Sequence, residues 1–181
     1  MNSEASPDRQ LSVGDIQIRS ANVNDAGVIA RIYNFHIDLG GATFDTEHWE
    51  TEFVARLVHC SLPEAWFVAT CHGDSTSDEE VVGWASARRH SLRHGYRFTC
   101  ETAIYLTRQA MGCGIGDLLQ QRLETHCRES GIHHAIAKII ADNERSIAFH
   151  RRFGYELVGI QKEIGHMGGE WRDVAILQRI F

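Results

Sequence analysis

The segment Glu101-Thr-Ala-Ile-Tyr-Leu-Thr-Arg-Gln-Ala-Met-Gly-Cys-Gly-Ile-Gly-Asp-Leu-Leu119 decides how the chain folds. Apolar residues in its first third predict a largely buried strand, and the leucines at its end begin the apolar face of a helix. Between them, Gly112, Gly114 and Gly116 occupy alternate positions and predict a tight turn. The first N–H groups of a helix have no partner and the helix dipole is positive there, so the segment predicts a phosphate-binding turn.

The glycine pattern is also compatible with a turn of purely structural role. It reads GxGxG, which differs from the GxGxxG pattern of dinucleotide-binding proteins. It also lacks the Walker lysine, because the residue after Gly116 is Asp117. The glycines alone therefore leave both interpretations open.

The composition is that of an ordinary soluble globular protein. The chain has 181 residues, of which 43% are hydrophobic and 23% charged, so we expect a flexible tail at residues 1–14 and a single domain over residues 15–181. A net charge of −6 argues against a nucleic-acid partner, and no apolar stretch approaches the ~18 residues of a membrane span. Five cysteines without CxxC spacing predict reduced thiols in a cytoplasmic protein, and no metal-binding pattern is present.

The predicted elements follow the order strand, two helices, three-stranded meander, helix, strand, helix and two strands. We expect Thr46 to cap the second helix, whose apolar face would carry Trp49, Phe53 and Leu57. A loop at residues 165–169 would join the last two strands. This order predicts a mixed sheet with helices on both faces, that is, a single α/β (α+β) domain.

Five blocks of sequence resemble the GNAT superfamily of N-acetyltransferases and, within it, the phosphinothricin and methionine sulfone (sulfoximine) N-acetyltransferase family. The blocks are Ile32-Tyr-Asn34, Phe44 with Thr46-Glu47, Tyr96-Arg-Phe-Thr-Cys-Glu101, Ala141-Asp-Asn-Glu-Arg-Ser-Ile-Ala-Phe-His150 and Trp171-Arg-Asp173. The stretch Met111-Gly-Cys-Gly-Ile-Gly116 is similar to the superfamily's pyrophosphate motif except at Met111, where the family usually carries arginine or glutamine. We therefore expect weakened acetyl-CoA binding, partly compensated by Arg108.

The resemblance implies a GNAT fold, acetyl-CoA as cosubstrate, no metal, and a homodimer. It implies a small anionic amino acid of the phosphinothricin, methionine sulfoximine or arsinothricin type as acceptor. It assigns Glu101 as the general base and His150 as the group that protonates the departing thiolate. The implied cofactor-binding residues are Ile104, Tyr105, Leu106, Met111, Gly112, Cys113, Gly114, Ile115, Gly116, Asp117, Asn143 and Ser146. The implied substrate-binding residues are Phe44, Arg93, Tyr96 and Glu101.

The residues alone are compatible with Glu101 as a base but do not require it. Strand alternation places its side chain on the same face as Ala103 and Tyr105, and such apolar surroundings would favour the uncharged carboxyl group. The alternative is a solvated or salt-bridged strand residue. In the same way, His150 could simply pack against the core, and Asn143 could be a helix N-cap as well as a cofactor contact.

A basic segment precedes the central strand. Arg88, Arg89, Arg93 and Arg97 place four positive charges within ten residues of an acidic protein. They predict either an ordinary solvated loop or a clamp for carboxylate and phosphinate-like groups, which guanidinium groups bind bidentately. Three functions are compatible with the sequence: acetylation of a small anionic amino acid, acetylation of a protein or peptide, and a non-catalytic acyl-CoA-binding regulator.

Overall fold

A seven-stranded mixed sheet carries the fold in the computed structural model, which describes residues 11–59, 62–72 and 79–181. The strands are β1 (Ile16–Ser20), β2 (Ala65–His72), β3 (Glu79–Arg89), β4 (Thr99–Leu106), β5 (His134–Ile140), β6 (Glu156–Met167) and β7 (Glu170–Ile180). The helices are α1 (Ala26–Leu39), α2 (Thr51–Val58), α3 (Ile115–Glu129) and α4 (Glu144–Arg152). Within these residues the strand order is β1-β2-β3-β4-β5-β7-β6, and only β4 and β5 are parallel neighbours.

Helices cover both faces of this sheet because successive strand residues point to opposite sides. In β3, Trp84 packs with residues of α1 and α2, whereas Ala85 belongs to the core beneath α3. Leu119 and Leu123 of α3 are fully buried on that side, as Ile29 of α1 is on the other. The predicted mixed sheet with helices on both faces is thus confirmed. None of the helices in the described ranges has the length and apolar character needed to cross a membrane.

The sheet splits in its middle. β4 and β5 pair only over residues 99–101 of β4 and 134–136 of β5. Beyond Glu101, β4 stays paired with β3 as far as Leu106, whereas β5 stays paired with β7 as far as Ile140. The two strands therefore diverge towards their C-terminal ends, and the gap between them exposes one edge of β4.

The second helix begins later than predicted, at Thr51 instead of directly after Thr46. Asn34 on α1 explains the difference, because its Oδ1 accepts from the backbone N–H of Trp49 at 2.8 Å and its Nδ2 donates to the Trp49 carbonyl at 3.0 Å. These two bonds occupy the groups that a helix would use. Trp49 therefore precedes the helix, and its indole Nε1 donates to Asp45 at 3.0 Å.

Two further boundaries differ from the prediction. Strand β6 extends to Met167, so the loop predicted at 165–169 shrinks to a turn in which Gly168 and Gly169 have φ of 60° and 83°. Part of the predicted N-terminal tail is ordered, since Leu11 is buried and Val13–Asp15 form a short 3₁₀ turn. The rest of that tail, residues 1–10, lies outside the described residues, as do residues 60–61 and 73–78.

Candidate active site

The predicted glycine turn joins β4 to α3. Gly112 and Gly114 have φ of 82° and 79°, a left-handed conformation that is unfavourable for residues with a Cβ atom, and Gly114 is the N-cap of α3. The next residue, Ile115, is fully buried and anchors the start of the helix in the core. Among the described residues, no acceptor takes the N–H groups of Gly112, Gly114 or Gly116. Unpaired N–H groups at a helix N-terminus bind anions, so this turn can hold a phosphate.

A cavity of about 780 Å³ extends from this turn into the gap between β4 and β5, and we call it the splay cavity. It is lined by most of the predicted cofactor-binding residues, namely Ile104, Tyr105, Leu106, Met111, Gly112, Gly114, Gly116, Asp117, Asn143 and Ser146. Ile115 and Cys113 do not line it: the first points into the core, and the Sγ of the second lies 3.4 Å from the carbonyl oxygen of Gln109. Unpaired N–H groups at one end and a free strand edge along one wall fit an extended ligand that carries a diphosphate, as acetyl-CoA does.

Two arginines of α4 supply positive charge at the glycine turn. Arg145 lies beside the turn: a Cβ atom placed on Gly112 would be 3.7 Å from the Nη2 of Arg145. Arg152 forms an ion pair with Asp117 at 2.9 Å. Both arginines line the splay cavity, whereas Arg108 does not. The compensation expected of Arg108 stays a prediction. Arg145 and Arg152 were missed at the sequence level because they lie on another helix, further along the chain.

A second cavity, of about 640 Å³, lies on the α1 and α2 side of the sheet, and we call it the aromatic cavity. Its aromatic walls are Tyr33, Phe44, Trp49, Phe53, Trp84 and Tyr105, so the predicted substrate contact Phe44 is among them. The hydroxyl group of Tyr33 donates to Asp45 at 2.7 Å. Burial raises the pKa of Tyr33 and also raises the pKa of Tyr105 to about 12, which keeps both phenols neutral.

The two cavities meet where β4 and β5 separate. Six residues line both of them: Ala42, Thr102, Ala103, Tyr105, Lys138 and Ile140. A ligand in the splay cavity and a ligand in the aromatic cavity would therefore come together beside these residues. Such an arrangement suits the transfer of a group from one ligand to the other.

Glu101 lines the aromatic cavity next to this junction, but its surroundings are not the apolar ones expected from the sequence. Its Oε2 lies 2.7 Å from the Nζ of Lys138, and its side chain is 27% exposed. Arg88 is its direct partner in the β3–β4 register. The expectation was wrong because β3 and β5, on either side of β4, each bring a cation to this position. Two cations therefore face the Glu101 carboxylate from the neighbouring strands.

Arg88 is the residue of the basic segment that lines the aromatic cavity, whereas Arg93 and Tyr96 line neither cavity. Because β3 continues to Arg89, Arg88 is still a strand residue, and its side chain shares a face with Glu101. No carboxylate of the described residues forms an ion pair with Arg88, so its guanidinium can bind a ligand. The role of Arg93 and Tyr96 in binding substrate stays a prediction.

His150 lines the splay cavity and is buried on α4. Its Nδ1 lies 2.8 Å from the carbonyl oxygen of Ser146, which can only accept, so the ring proton sits on Nδ1. Burial lowers the pKa of His150, so the neutral ring with an unprotonated Nε2 prevails at neutral pH. In that state Nε2 accepts hydrogen bonds but does not donate them. The predicted role of His150 as an acid stays a prediction, and this tautomer argues against it.

Two other polar side chains hold the rim of the splay cavity. Asn143 is the N-cap of α4 as predicted, with its Oδ1 accepting from the N–H of Ser146 at 3.1 Å and its Nδ2 donating to the carbonyl of Gly41 at 3.2 Å. His36, which was missed at the sequence level, lies with Nε2 2.8 Å from the carbonyl oxygen of Leu106 at the end of β4. These contacts tie the start of α4 to the loop after α1, and α1 to the end of β4.

Known proteins with similar sequences are acetyltransferases. Residues 18–176 match the family described as acetyltransferase (GNAT) domain. The chain is 30% identical over 165 residues to a phosphinothricin N-acetyltransferase of Streptomyces coelicolor, which covers 91% of this chain and 96% of that protein. It is 34% identical over 171 residues to an L-methionine sulfoximine/L-methionine sulfone acetyltransferase of Pseudomonas paraeruginosa, which covers 88% of this chain and 94% of that protein.

A solved structure shares the fold as well. The crystal structure of a phosphinothricin acetyltransferase from Sinorhizobium meliloti in complex with AcCoA has a TM-score of 0.82 and 31% sequence identity, over 92% of this chain and 89% of that one. The family match spans most of the chain, and the relatives are covered almost from end to end. The chain therefore belongs to the GNAT family of acetyltransferases.

Proposed function

We propose that this protein transfers the acetyl group of acetyl-CoA to the amino group of a small anionic amino acid of the phosphinothricin, methionine sulfoximine or sulfone, or arsinothricin type. The observation that carries the proposal is the junction of the two cavities beside Glu101. One cavity begins at a phosphate-binding turn, and the other combines aromatic walls with an arginine. Relatives that are named for such acceptors, and one that was crystallised with AcCoA, support it.

The splay cavity holds acetyl-CoA, which supplies an activated acetyl thioester when bound. The N–H groups of Gly112, Gly114 and Gly116 bind the diphosphate, and Arg145 and Arg152 neutralise its charge. The edge of β4 that has separated from β5 offers backbone groups to the amides of the pantetheine arm. Together these contacts bring the thioester to the junction of the cavities.

Glu101 removes a proton from the acceptor. A free α-amino group has a pKa of about 7.7–8.0, so much of it is protonated at neutral pH, and only the neutral amine attacks a thioester. The ionised carboxylate beside the junction takes this proton, and backbone N–H groups at Ile104–Leu106 stabilise the oxyanion that develops. The acetyl group passes directly to the amine without an acetylated catalytic side chain, and coenzyme A leaves as a thiolate that takes up the second proton of the amine.

Arg88 binds the oxyanion group of the acceptor. Its planar guanidinium suits carboxylate and phosphinate oxygens, and it faces the same cavity as Glu101. Binding the acceptor's anionic group there leaves its amino group for the carboxylate of Glu101. The same positive charge disfavours polyamines and aminoglycosides as acceptors.

A thiol-release assay with acetyl-CoA and a panel of amines tests this function. The panel contains phosphinothricin, methionine sulfoximine, methionine sulfone and a peptide with a free N-terminal alanine. We expect turnover with the anionic amino acids and none with the peptide. Preferred turnover of the peptide would favour a protein N-acetyltransferase, and acetyl-CoA binding without turnover of any amine would favour the non-catalytic regulator.

Replacing Met111 with arginine is expected to lower the KM for acetyl-CoA about fivefold, because an exposed ion pair is worth up to about 1 kcal/mol. The new guanidinium would contact the diphosphate beside the glycine turn. Steady-state kinetics at saturating acceptor measure the change. Gln109→Arg adds the same charge at an exposed position outside the cavity and should leave the KM unchanged. A raised KM in Met111→Arg would show that the turn does not face the diphosphate.

Replacing His150 with glutamine is expected to lower kcat by less than about tenfold, which is below the 10²–10⁴ typical of an acid–base residue. The reason is that its ring proton is committed to the carbonyl of Ser146. Thiol-release kinetics give kcat, and thermal unfolding reports whether the variant folds. His126→Gln, at another buried helix histidine outside both cavities, is the matched control. A far larger loss of kcat in a natively folded His150 variant would restore this residue as the acid.

We also expect a homodimer in the cytoplasm. The edge strand β6 exposes Val158, Ile160 and Ile164, and Trp171 on β7 is 64% exposed. Large apolar side chains exposed along an edge strand are typical of a protein interface. Light scattering coupled to size-exclusion chromatography measures the mass in solution, and a monomer at micromolar concentration would contradict the prediction.

A further inference from the structure

The chain contains only two lysines, against sixteen arginines. Lys138 lies on β5, two residues beyond Ile136, where the pairing of β4 with β5 ends. Lys162 lies on β6. Both ammonium groups are ion-paired at the same distance, 2.7 Å, the first with Glu101 and the second with Asp173. Their difference is therefore one of location and not of pairing.

Lys138 occupies the place that an acceptor amine needs. It lines both cavities at their junction, and its Nζ already touches the carboxylate that we assign as the base. Its side chain is 46% exposed, so the ammonium can shift towards the splay cavity without breaking a packed core. Lys162 lines neither cavity and is more exposed, at 74%.

We propose that Lys138 is a modification site, acetylated on Nζ by the acetyl-CoA that the same molecule binds. The inference rests on the proposed function. In the step, the Lys138 ammonium gives one proton to Glu101, and the Nζ lone pair forms an N–C bond to the thioester carbonyl. The nitrogen then loses its second proton, the C–S bond breaks, and the sulfur leaves as a thiolate that takes up this proton. The products are Nε-acetyl-lysine and coenzyme A.

This modification removes the charge of Lys138 and with it the ion pair to Glu101. The resulting amide is not an acetyl donor, so the modified lysine is an end product and not an intermediate in transfer to a free amine. A free acceptor competes with Lys138 for the same carboxylate and the same thioester. Saturating acceptor therefore slows the modification.

The experiment incubates the full chain with acetyl-CoA that carries an isotope label in the acetyl group, without any acceptor, and maps the label by peptide mass spectrometry. We expect Lys138 to be labelled about tenfold or more faster than Lys162, because proximity favours the lysine at the junction. Reaction with acetyl-CoA in solution would instead favour Lys162, the more exposed of the two. Glu101→Gln should slow labelling of Lys138 about 10²-fold. Lys138→Arg should abolish the major label, and Lys162→Arg should retain it.

Each result separates this inference from the proposed function. Labelling of Lys138 without turnover of any free amine supports the inference and contradicts the proposed function. Turnover of an acceptor by a protein that gains no label on Lys138, or gains it on Lys162 at the same rate, overturns the inference alone. A Lys138→Arg variant that keeps the full label also overturns it. A protein that gains no label and turns over no amine would overturn both the inference and the proposed function.

Discussion

Replacing Glu101 with glutamine is expected to lower kcat by about 10²–10⁴, the usual contribution of a general base. The amide has nearly the same size as the carboxylate, but it cannot take a proton from the acceptor's ammonium group. The fold should survive, because both members of the Glu101–Lys138 pair are partly exposed and such pairs contribute about 0–1 kcal/mol to stability. Thiol release with acetyl-CoA and the preferred acceptor measures the effect.

The matched control for this variant is Glu129→Gln. Glu129 is also ion-paired, with Arg122 at 3.7 Å, but its side chain is 65% exposed and lies outside both cavities. The control removes the same charge and should keep the wild-type kcat. Isothermal titration calorimetry should give an unchanged affinity of Glu101→Gln for acetyl-CoA, because the glycine turn is untouched. A kcat of Glu101→Gln close to that of the wild type would show that Glu101 is not the general base.

Replacing Arg88 with methionine is expected to raise the KM for the acceptor about 10–100-fold. A hydrogen bond between charged groups is worth about 1.5–3 kcal/mol, and each 1.4 kcal/mol corresponds to about a tenfold change in affinity. Methionine keeps an unbranched apolar side chain in the wall of the aromatic cavity but removes the guanidinium. Steady-state kinetics at saturating acetyl-CoA measure the acceptor KM, and the KM for acetyl-CoA should not change.

Two further variants test whether the position and the shape of the cation matter. The side chain of Arg89 points to the opposite face of β3, where its Nε lies 3.8 Å from the carboxylate of Glu64. Arg89→Met removes this neighbouring charge and should leave the acceptor KM unchanged. Arg88→Lys keeps the charge without the planar fork and should give an intermediate KM. An unchanged acceptor KM in Arg88→Met, or an equal rise in Arg89→Met, would contradict the assignment of Arg88 as the residue that binds the acceptor's oxyanion. Arg93 would then be the next candidate.

Local patterns predicted much of the architecture. The central strand, its glycine turn and α3 lie where the sequence placed them, because a buried apolar run, left-handed glycines and a helical apolar face are properties of neighbouring residues. The N-cap of α4 at Asn143 was equally predictable, since the side chain bonds an N–H group only three residues away. The predicted cofactor residues followed this local geometry, and ten of the twelve line one cavity.

Prediction failed where distant residues decide the outcome. The start of α2 was misplaced because Asn34, fifteen residues earlier, binds the backbone of Trp49. The basic segment was interpreted as one loop, whereas β3 continues to Arg89. As a result, Arg88 is the arginine of this segment that lines the aromatic cavity. The charge at the glycine turn comes from Arg145 and Arg152 on another helix. None of these contacts leaves a periodic signal in the sequence.

By itself, the sequence determined the kind of fold, the glycine turn and a glutamate on the strand that leads into it. Only the tertiary structure decided which charges meet that glutamate. The pairing of β4 with β5 ends after Glu101, and the register of three neighbouring strands then sets Arg88 and Lys138 beside it. Register and strand separation depend on hydrogen bonds between residues far apart in the chain. The electrostatic surroundings of Glu101 are therefore a property of the folded sheet and not of any one segment.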